Sequence, residues 1–480
     1  MALTGSIPQE FGNLSFLAFL DLGSKNFHGN LPQEMARLRR LKFLDLSFNN
    51  FRGNSLSGNL PNGLGNGLPV LNGLYLSTNF CGHLPTSLSS CSQLQILSLS
   101  ENEFDGPIHS EIGRLSNLRL FYLGFNHFIG EIPKEIRNLV ELEVLNLGYN
   151  SFSCQLNMEI FNISGLRKIA LTKNILPNID GIYLRNLTNL VGTIPHSISN
   201  RSKLATLELS GNKLSGLIPN SLGHLSHLLF LSLGANNLTS DSSLSFLTSL
   251  TNCRNLTLLS LSRNPLNGMF PESAGNLSAS LRKFYAERCK IKGLISYAVG
   301  NLSNLIDFDL NENNLVGSIP TSIGNLRILQ GLEITFITEI YLSSNKFSSN
   351  IPTSLGNLKD LLDLDLSSNN IAGSLTPEIG NLKVLVQIVL SMNGFSNKIP
   401  REIRGLQNLE YLSLRCNMLH GAIPDSMSNI PKSLEKLKNL KYFNVSVNKL
   451  YREIDTRSTR ETRNTHQNQS TSSRNRGPLW

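Results

Sequence analysis

Side chains able to recognise another molecule recur through this sequence, whereas side chains able to break bonds do not converge. It has no His-Glu-x-x-His, no Gly-x-Ser-x-Gly and no phosphate loop ending in Gly-Lys-Ser/Thr. His224 and His227 stand three apart with no convergent carboxylate and read as solvated histidines. Cys81, Cys91, Cys154, Cys253, Cys289 and Cys416 form no Cys-x-x-Cys pair, so lone packed thiols are expected rather than zinc or thiol chemistry. No catalytic residue, cofactor or metal is therefore expected. What recurs is aromatic and charged. Phe43, Phe48, Tyr75, Leu120, Tyr122, Phe125 and Tyr149 come first, followed by Lys168 and Lys173. Arg263, Lys283, Tyr285, Glu287 and Arg288 come next, and Asp307, Asp309, Glu312, Glu339, Asp363 and Asp365 make an acidic stretch. Rings bury apolar surface and fixed charges select opposite charges, which is the chemistry of binding.

The elements that position these residues are repeats. Leu94-x-x-Leu97-x-Leu99-x-x-Asn102-x-Phe104-x-Gly106-x-Ile108 returns around Asn126 and Asn150 at 24-residue spacing. It returns again as Leu204-x-x-Leu207-x-Leu209-x-x-Asn212-x-Leu214-x-Gly216-x-Ile218-Pro219. Asn236, Asn264, Asn313, Asn345, Asn369, Asn393, Asn417 and Asn448 hold the same place, as do Asn49, Asn79 and Asn174, while Lys25 and Cys289 replace the Asn in two copies. About seventeen copies exclude coincidence.

Leu-x-Leu has the period of a strand, so its Leu side chains share one face and the intervening residues the other. Successive strands are expected side by side in a parallel sheet. The Asn ends the strand and satisfies backbone groups in the turn, stacked as a structural ladder. Gly-x-Ile-Pro turns the chain, and segments such as Glu111-Ile-Gly-Arg-Leu115 return along the outer face. Aromatic and charged residues at the x positions then line the inner face, with Phe125 and Tyr149 at equivalent places in adjacent repeats.

The unit Leu-x-x-Leu-x-Leu-x-x-Asn-x-Leu-x-Gly-x-Ile-Pro-x-x-Ile/Leu-Gly-Asn-Leu resembles the plant-specific leucine-rich repeat, and the chain resembles the ectodomain of a plant leucine-rich-repeat receptor-like kinase. Ser245-Phe-Leu-Thr-Ser-Leu-Thr-Asn-Cys253 and Tyr442-Phe-Asn-Val-Ser446 are similar to the pathogen-sensing subclass. The resemblance implies an α/β-type solenoid, a right-handed superhelical horseshoe with a parallel sheet on its concave face. It also implies a peptide or protein ligand, a coreceptor kinase as possible partner, and a plasma-membrane or extracellular location for the parent receptor.

The repeat domain is expected over residues 1–450, irregular near 54–60, 175–200, 330–342 and 424–436, with a disordered polar tail over 451–480. Leu332-Glu-Ile334 and Ile340-Tyr-Leu342 begin strands only eight residues apart, too close for a parallel crossover. The first residues lack the basic and apolar regions of a signal peptide, and no stretch nears eighteen apolar residues. The cysteine-bearing cap, membrane helix and kinase that the resemblance implies are not found, so kinase activity is not carried over. The formal charge of +9 is spread out, with six Arg against three acids in the last thirty residues, and does not indicate nucleic acid.

Ten Asn-x-Ser/Thr sequons occur. Asn13, Asn162, Asn200, Asn276 and Asn301 share a repeat phase in the return segment, so their glycans would leave the inner face free. The function expected is the ligand-sensing part of a plant cell-surface receptor in defence or development. A secreted inhibitor of wall-degrading enzymes and a truncated pseudogene product are the alternatives.

Overall fold

The computed structural model describes residues 4–47, 58–76, 80–153, 155–156, 158–172, 190–199, 203–326, 338–422 and 439–451. Phe48, Lys173, Asn200 and the tail beyond Tyr451 lie outside them. The chain divides into two units, Met1–Asp241 with Ser245–Leu266, and Ser242–Leu244 with Asn267–Trp480.

In each unit three-residue strands pair in parallel, in register, one per repeat. Among the described residues the first unit carries ten, from Phe19–Asp21 to Leu258–Ser260, and the second seven, from Lys283–Tyr285 to Tyr442–Asn444. Leu120–Tyr122 lies between Ile96–Ser98 and Val144–Asn146, with Phe121 opposite Leu97 and Leu145. Those three central residues are fully buried. Leu94, Leu99, Phe104, Ile112 and Leu115 complete the interior of one repeat. Each contributes about 1.5–3 kcal/mol on burial, which is what holds a short strand straight.

The sheet passes directly over the irregular stretches of sequence. Lys168–Ala170 pairs with Thr206–Glu208, Asp307–Asp309 with Glu339–Tyr341, and Tyr411–Ser413 with Tyr442–Asn444. Of the two closely spaced strands read from the sequence, the second is in the sheet as Glu339–Tyr341, and Leu332–Ile334 lies outside the described residues.

The ladder asparagines do the turning. Asn150 is fully buried; its Nδ2 donates to Leu123 O at 2.8 Å in the preceding repeat and to Leu147 O at 3.1 Å in its own. Its Oδ1 accepts from Phe128 N at 3.1 Å. Asn102, Asn126, Asn236, Asn313, Asn369, Asn393 and Asn417 repeat the pattern. Asn212 donates likewise, to Leu171 O and Leu209 O at 2.9 Å. Cys289, standing where the ladder lacks Asn, is buried and points its thiol at Glu287 O, 3.4 Å away. The residue before each described ladder position is left-handed, including Glu101, Phe125, Tyr149, Arg263 and Arg288, with φ between 54° and 61°. That backbone costs roughly 1–2 kcal/mol for an L-residue and is held by the Asn bonds around it.

Beyond the ladder each unit has further short parallel strands that the sequence did not suggest. In the first, Gly58–Asn59, Phe80–His83, Glu103–Pro107, His127–Gly130 and Ser151–Phe152 pair in sequence order. Their buried Phe80, Phe104, Phe128 and Phe152 rings stack at 6.2–6.5 Å. Gly106 permits the bend there with φ 69°. Most return segments are five-residue 3-10 turns, such as Lys134–Asn138 after Pro133 at φ −63°, while Leu64–Gly67 and Ser245–Leu250 are short α-helices. They stack so closely that a Cβ on Gly324 would lie 2.3 Å from Ser354 O.

Candidate ligand-binding face

One face of each strand enters the core, so the first and third residues of each strand remain to form a surface. In the first unit this surface is aromatic. Phe19, Phe43 and Tyr75 form a row with ring centroids 6.1 and 5.2 Å apart. Leu120 and Tyr122 flank buried Phe121. The Phe125 and Tyr149 rings, at the left-handed positions of adjacent repeats, stack at 3.8 Å and 13°, and Phe125 is 47% exposed. Burial, with Asp45 nearby for Tyr75 and Glu208 nearby for Tyr149, pushes both phenols above their ordinary range. They therefore present neutral hydroxyls.

Next to this row the surface becomes mixed. Glu143 accepts from Arg119 at 2.8 Å and faces Arg167 at 3.6 Å; the Arg119 hydrogen bond holds its carboxyl below the usual range. Lys168 pairs with Glu208 at 3.2 Å. Phe230, 43% exposed, stands in the strand after Glu208.

The second unit carries Lys283, Tyr285 and Arg288 beside the acidic stretch, and these groups bond to one another. Buried Asp307 accepts from Tyr285 at 2.7 Å and pairs with Lys283 at 2.8 Å, both on Oδ2. Arg288 meets Glu312 at 2.5 Å and Glu287 at 3.4 Å. The basic and acidic sections expected as separate ligand contacts thus interlock across the repeat boundary. Asp309 accepts from Asn311 N at 2.9 Å, and burial, with Glu287 and Asp365 near, pushes its carboxyl up to about 6. Burial also raises Glu339, with Asp307 and Asp363 adding to the effect, and raises Asp363. Asp365 repeats the Asp309 turn by accepting from Ser367 N at 2.9 Å.

Asn13, Asn162, Asn276 and Asn301 are each the last residue of a 3-10 turn, and each is exposed. Sequence reasoning missed Phe19 and Phe230 on the face and the Lys168–Glu208 pair. Phe19 and Phe230 sit at strand positions equivalent to Phe43, so the repeat phase that identified Phe43 also contained them. The pair spans an insertion of irregular length and had no such signal.

Short parallel strands closed by an asparagine ladder define the class, a leucine-rich-repeat solenoid. The Leucine Rich Repeat family model matches residues 93–115, 117–139, 203–225, 255–277, 304–326, 336–358, 360–382 and 408–430. Each family match within the chain is to this repeat rather than to a kinase. Over 79 residues, 16% of the chain, it is 43% identical to a probable LRR receptor-like serine/threonine-protein kinase of Arabidopsis thaliana. Over 175 residues, 35% of the chain, it is 30% identical to Receptor-like protein 41 of the same plant. The matched segments span 8% and 15% of those relatives.

Among solved structures, the plant peptide hormone receptor RGFR1 in complex with RGF2 superposes with a TM-score of 0.76 at 29% identity, over 94% of this chain and 77% of that one. The Arabidopsis receptor kinase HAESA, in complex with the peptide hormone IDA and the co-receptor SERK1, gives 0.69 at 28%, over 94% and 78%. An LRR protein of Leptospira interrogans gives 0.60 at 26%, over 92% and 95%. The chain is thus similar in fold to plant receptor kinase ectodomains.

Proposed function

We propose that this chain is the extracellular ligand-sensing region of a plant cell-surface receptor, taking a peptide or protein along the sheet face and signalling in defence or development. The carrying observation is the register of exposed and half-buried rings in the first unit, Phe19, Phe43, Tyr75 and Tyr122 on strands whose other face is core, with the Phe125–Tyr149 stack just past the strand ends. Partly exposed rings held by a rigid sheet lose little freedom on contact, so their further burial goes into affinity. The likeness to RGFR1 with RGF2 and to HAESA with IDA supports a peptide occupant. In this reading the bound peptide presents a composite surface to a coreceptor kinase.

Selection of a random twelve-residue peptide display library on the purified chain tests the reading. Peptides retained by the native protein should lose at least tenfold in affinity when Tyr122, Phe125 and Tyr149 are all replaced by Ser. Equal retention by both proteins would sink it.

A further inference from the structure

On the sheet face of the first unit, small side chains and one ion pair lie between Tyr149 and Phe230. A shallow depression there is lined by the small residues Ala170 and Ser232, the Phe125–Tyr149 stack and Phe230. Lys168 and Glu208 belong to the same lining and are joined at 3.2 Å, their side chains 40% and 33% exposed.

Rings and small residues lining one depression suit a planar group, since ring contacts add about 0.5–1.5 kcal/mol beyond burial. The ion pair narrows the choice. A purely apolar ring would strip water from Lys168 and Glu208 and return nothing. A charged group would meet one like charge with its opposite. An indole donates only, whereas a phenol both donates and accepts, matching a carboxylate and an ammonium at once.

We infer that this depression is an anchoring subsite for a tyrosine side chain of the ligand, its ring between Tyr149 and Phe230 and its hydroxyl on the Lys168–Glu208 pair. The inference rests on the sheet face being the ligand surface and narrows it to one side chain.

N-acetyl-L-tyrosinamide, followed by saturation-transfer NMR on the intact chain, is the probe. Saturable binding is expected, several-fold tighter than that of N-acetyl-L-phenylalaninamide and absent for N-acetyl-L-alaninamide. Ser232→Trp, which fills the depression, should weaken it at least tenfold, and Lys168→Met should erase the preference for the phenol. If Ser232→Trp does not fold, Phe230→Ala, which removes an exposed ring, should give the same loss. Tyrosinamide binding no better than that of alaninamide, or unchanged by these variants, would overturn the subsite. Display peptides that bind the native chain and Ser232→Trp equally would remove the subsite and leave the proposed function standing. Failure of the native chain to retain any peptide would instead count against that function.

Discussion

Tyr285 donates its hydroxyl to Asp307 across a repeat boundary, 2.7 Å from the oxygen that Lys283 also holds at 2.8 Å. One buried carboxylate thus ties two side chains of one strand to the next. A partner lost from a buried charge costs more than the bond is worth, because the remaining charge stays out of water. Tyr285→Phe should therefore lower stability by about 1 kcal/mol, and Asp307→Ala by roughly 3 kcal/mol. Urea unfolding of the two variants checks the order; equal midpoints would show the carboxylate to be solvated.

Asp309 makes the second unit sensitive to pH. Its carboxyl sits at about 6 in the folded chain against an ordinary 3.8. Between those values the folded state keeps a proton that the unfolded state releases, so stability falls as pH rises through the window. Glu339 and Asp363 shift the same way. Asp309→Asn keeps the acceptor for Asn311 N and removes the charge. It should be more stable than the native chain at pH 7 by on the order of 1–2 kcal/mol, with the gain vanishing near pH 4. Thermal melts from pH 4 to 7 read both arms, and a pH-independent difference would exclude the carboxylate as its source.

Asn150 closes two repeats at once. Asn150→Ala leaves Phe128 N and Leu123 O without the side-chain bonds described above. The expected cost is about 2–4 kcal/mol for two buried groups left unmatched. Hydrogen exchange should show faster exchange at the Phe128 amide than at the equivalent Phe395 amide, bonded to Asn417 at 3.1 Å. Unchanged exchange at Phe128 would mean that the turn is held by packing alone.

The exposed sequons at Asn13, Asn162, Asn276 and Asn301 end 3-10 turns, away from the strand residues of the sheet face. Expression through a plant secretory pathway should give glycan at these positions, read by peptide mass spectrometry after enzymatic deglycosylation. Peptides bound to the face should retain their affinity after the glycans are trimmed. Unmodified asparagines at all four after such expression would show that these turn ends do not accept glycan.

The parts of this structure that were legible in the sequence are those with a hydrogen-bonding or packing demand that only one residue type meets. Asn150 has to donate and accept in the same buried turn, so its type and spacing recur and reveal the strand before it. Phe125 and Tyr149 followed from the same phase, and their rings stack as the spacing suggested. The outer strands, two to five residues long, left only a Gly such as Gly106 as their signal, too little to distinguish a strand from a turn. Charge composition located Lys283 and Asp307 but not their bond, since a ligand contact and an ion pair between repeats call for the same residues. Lys168 and Glu208 meet across an insertion whose length hides their proximity.

The direct pairing of Lys168–Ala170 with Thr206–Glu208, over a sequence gap larger than a repeat, has a consequence for descent. Alignment between strands is set by the leucines and the ladder, not by how much chain runs between them. Duplication, deletion or unequal exchange of coding segments can therefore lengthen or shorten the connections while each new strand still docks in step. Selection is left free to vary the outward residues of one strand at a time, so a lineage can change what it detects without rebuilding what detects it.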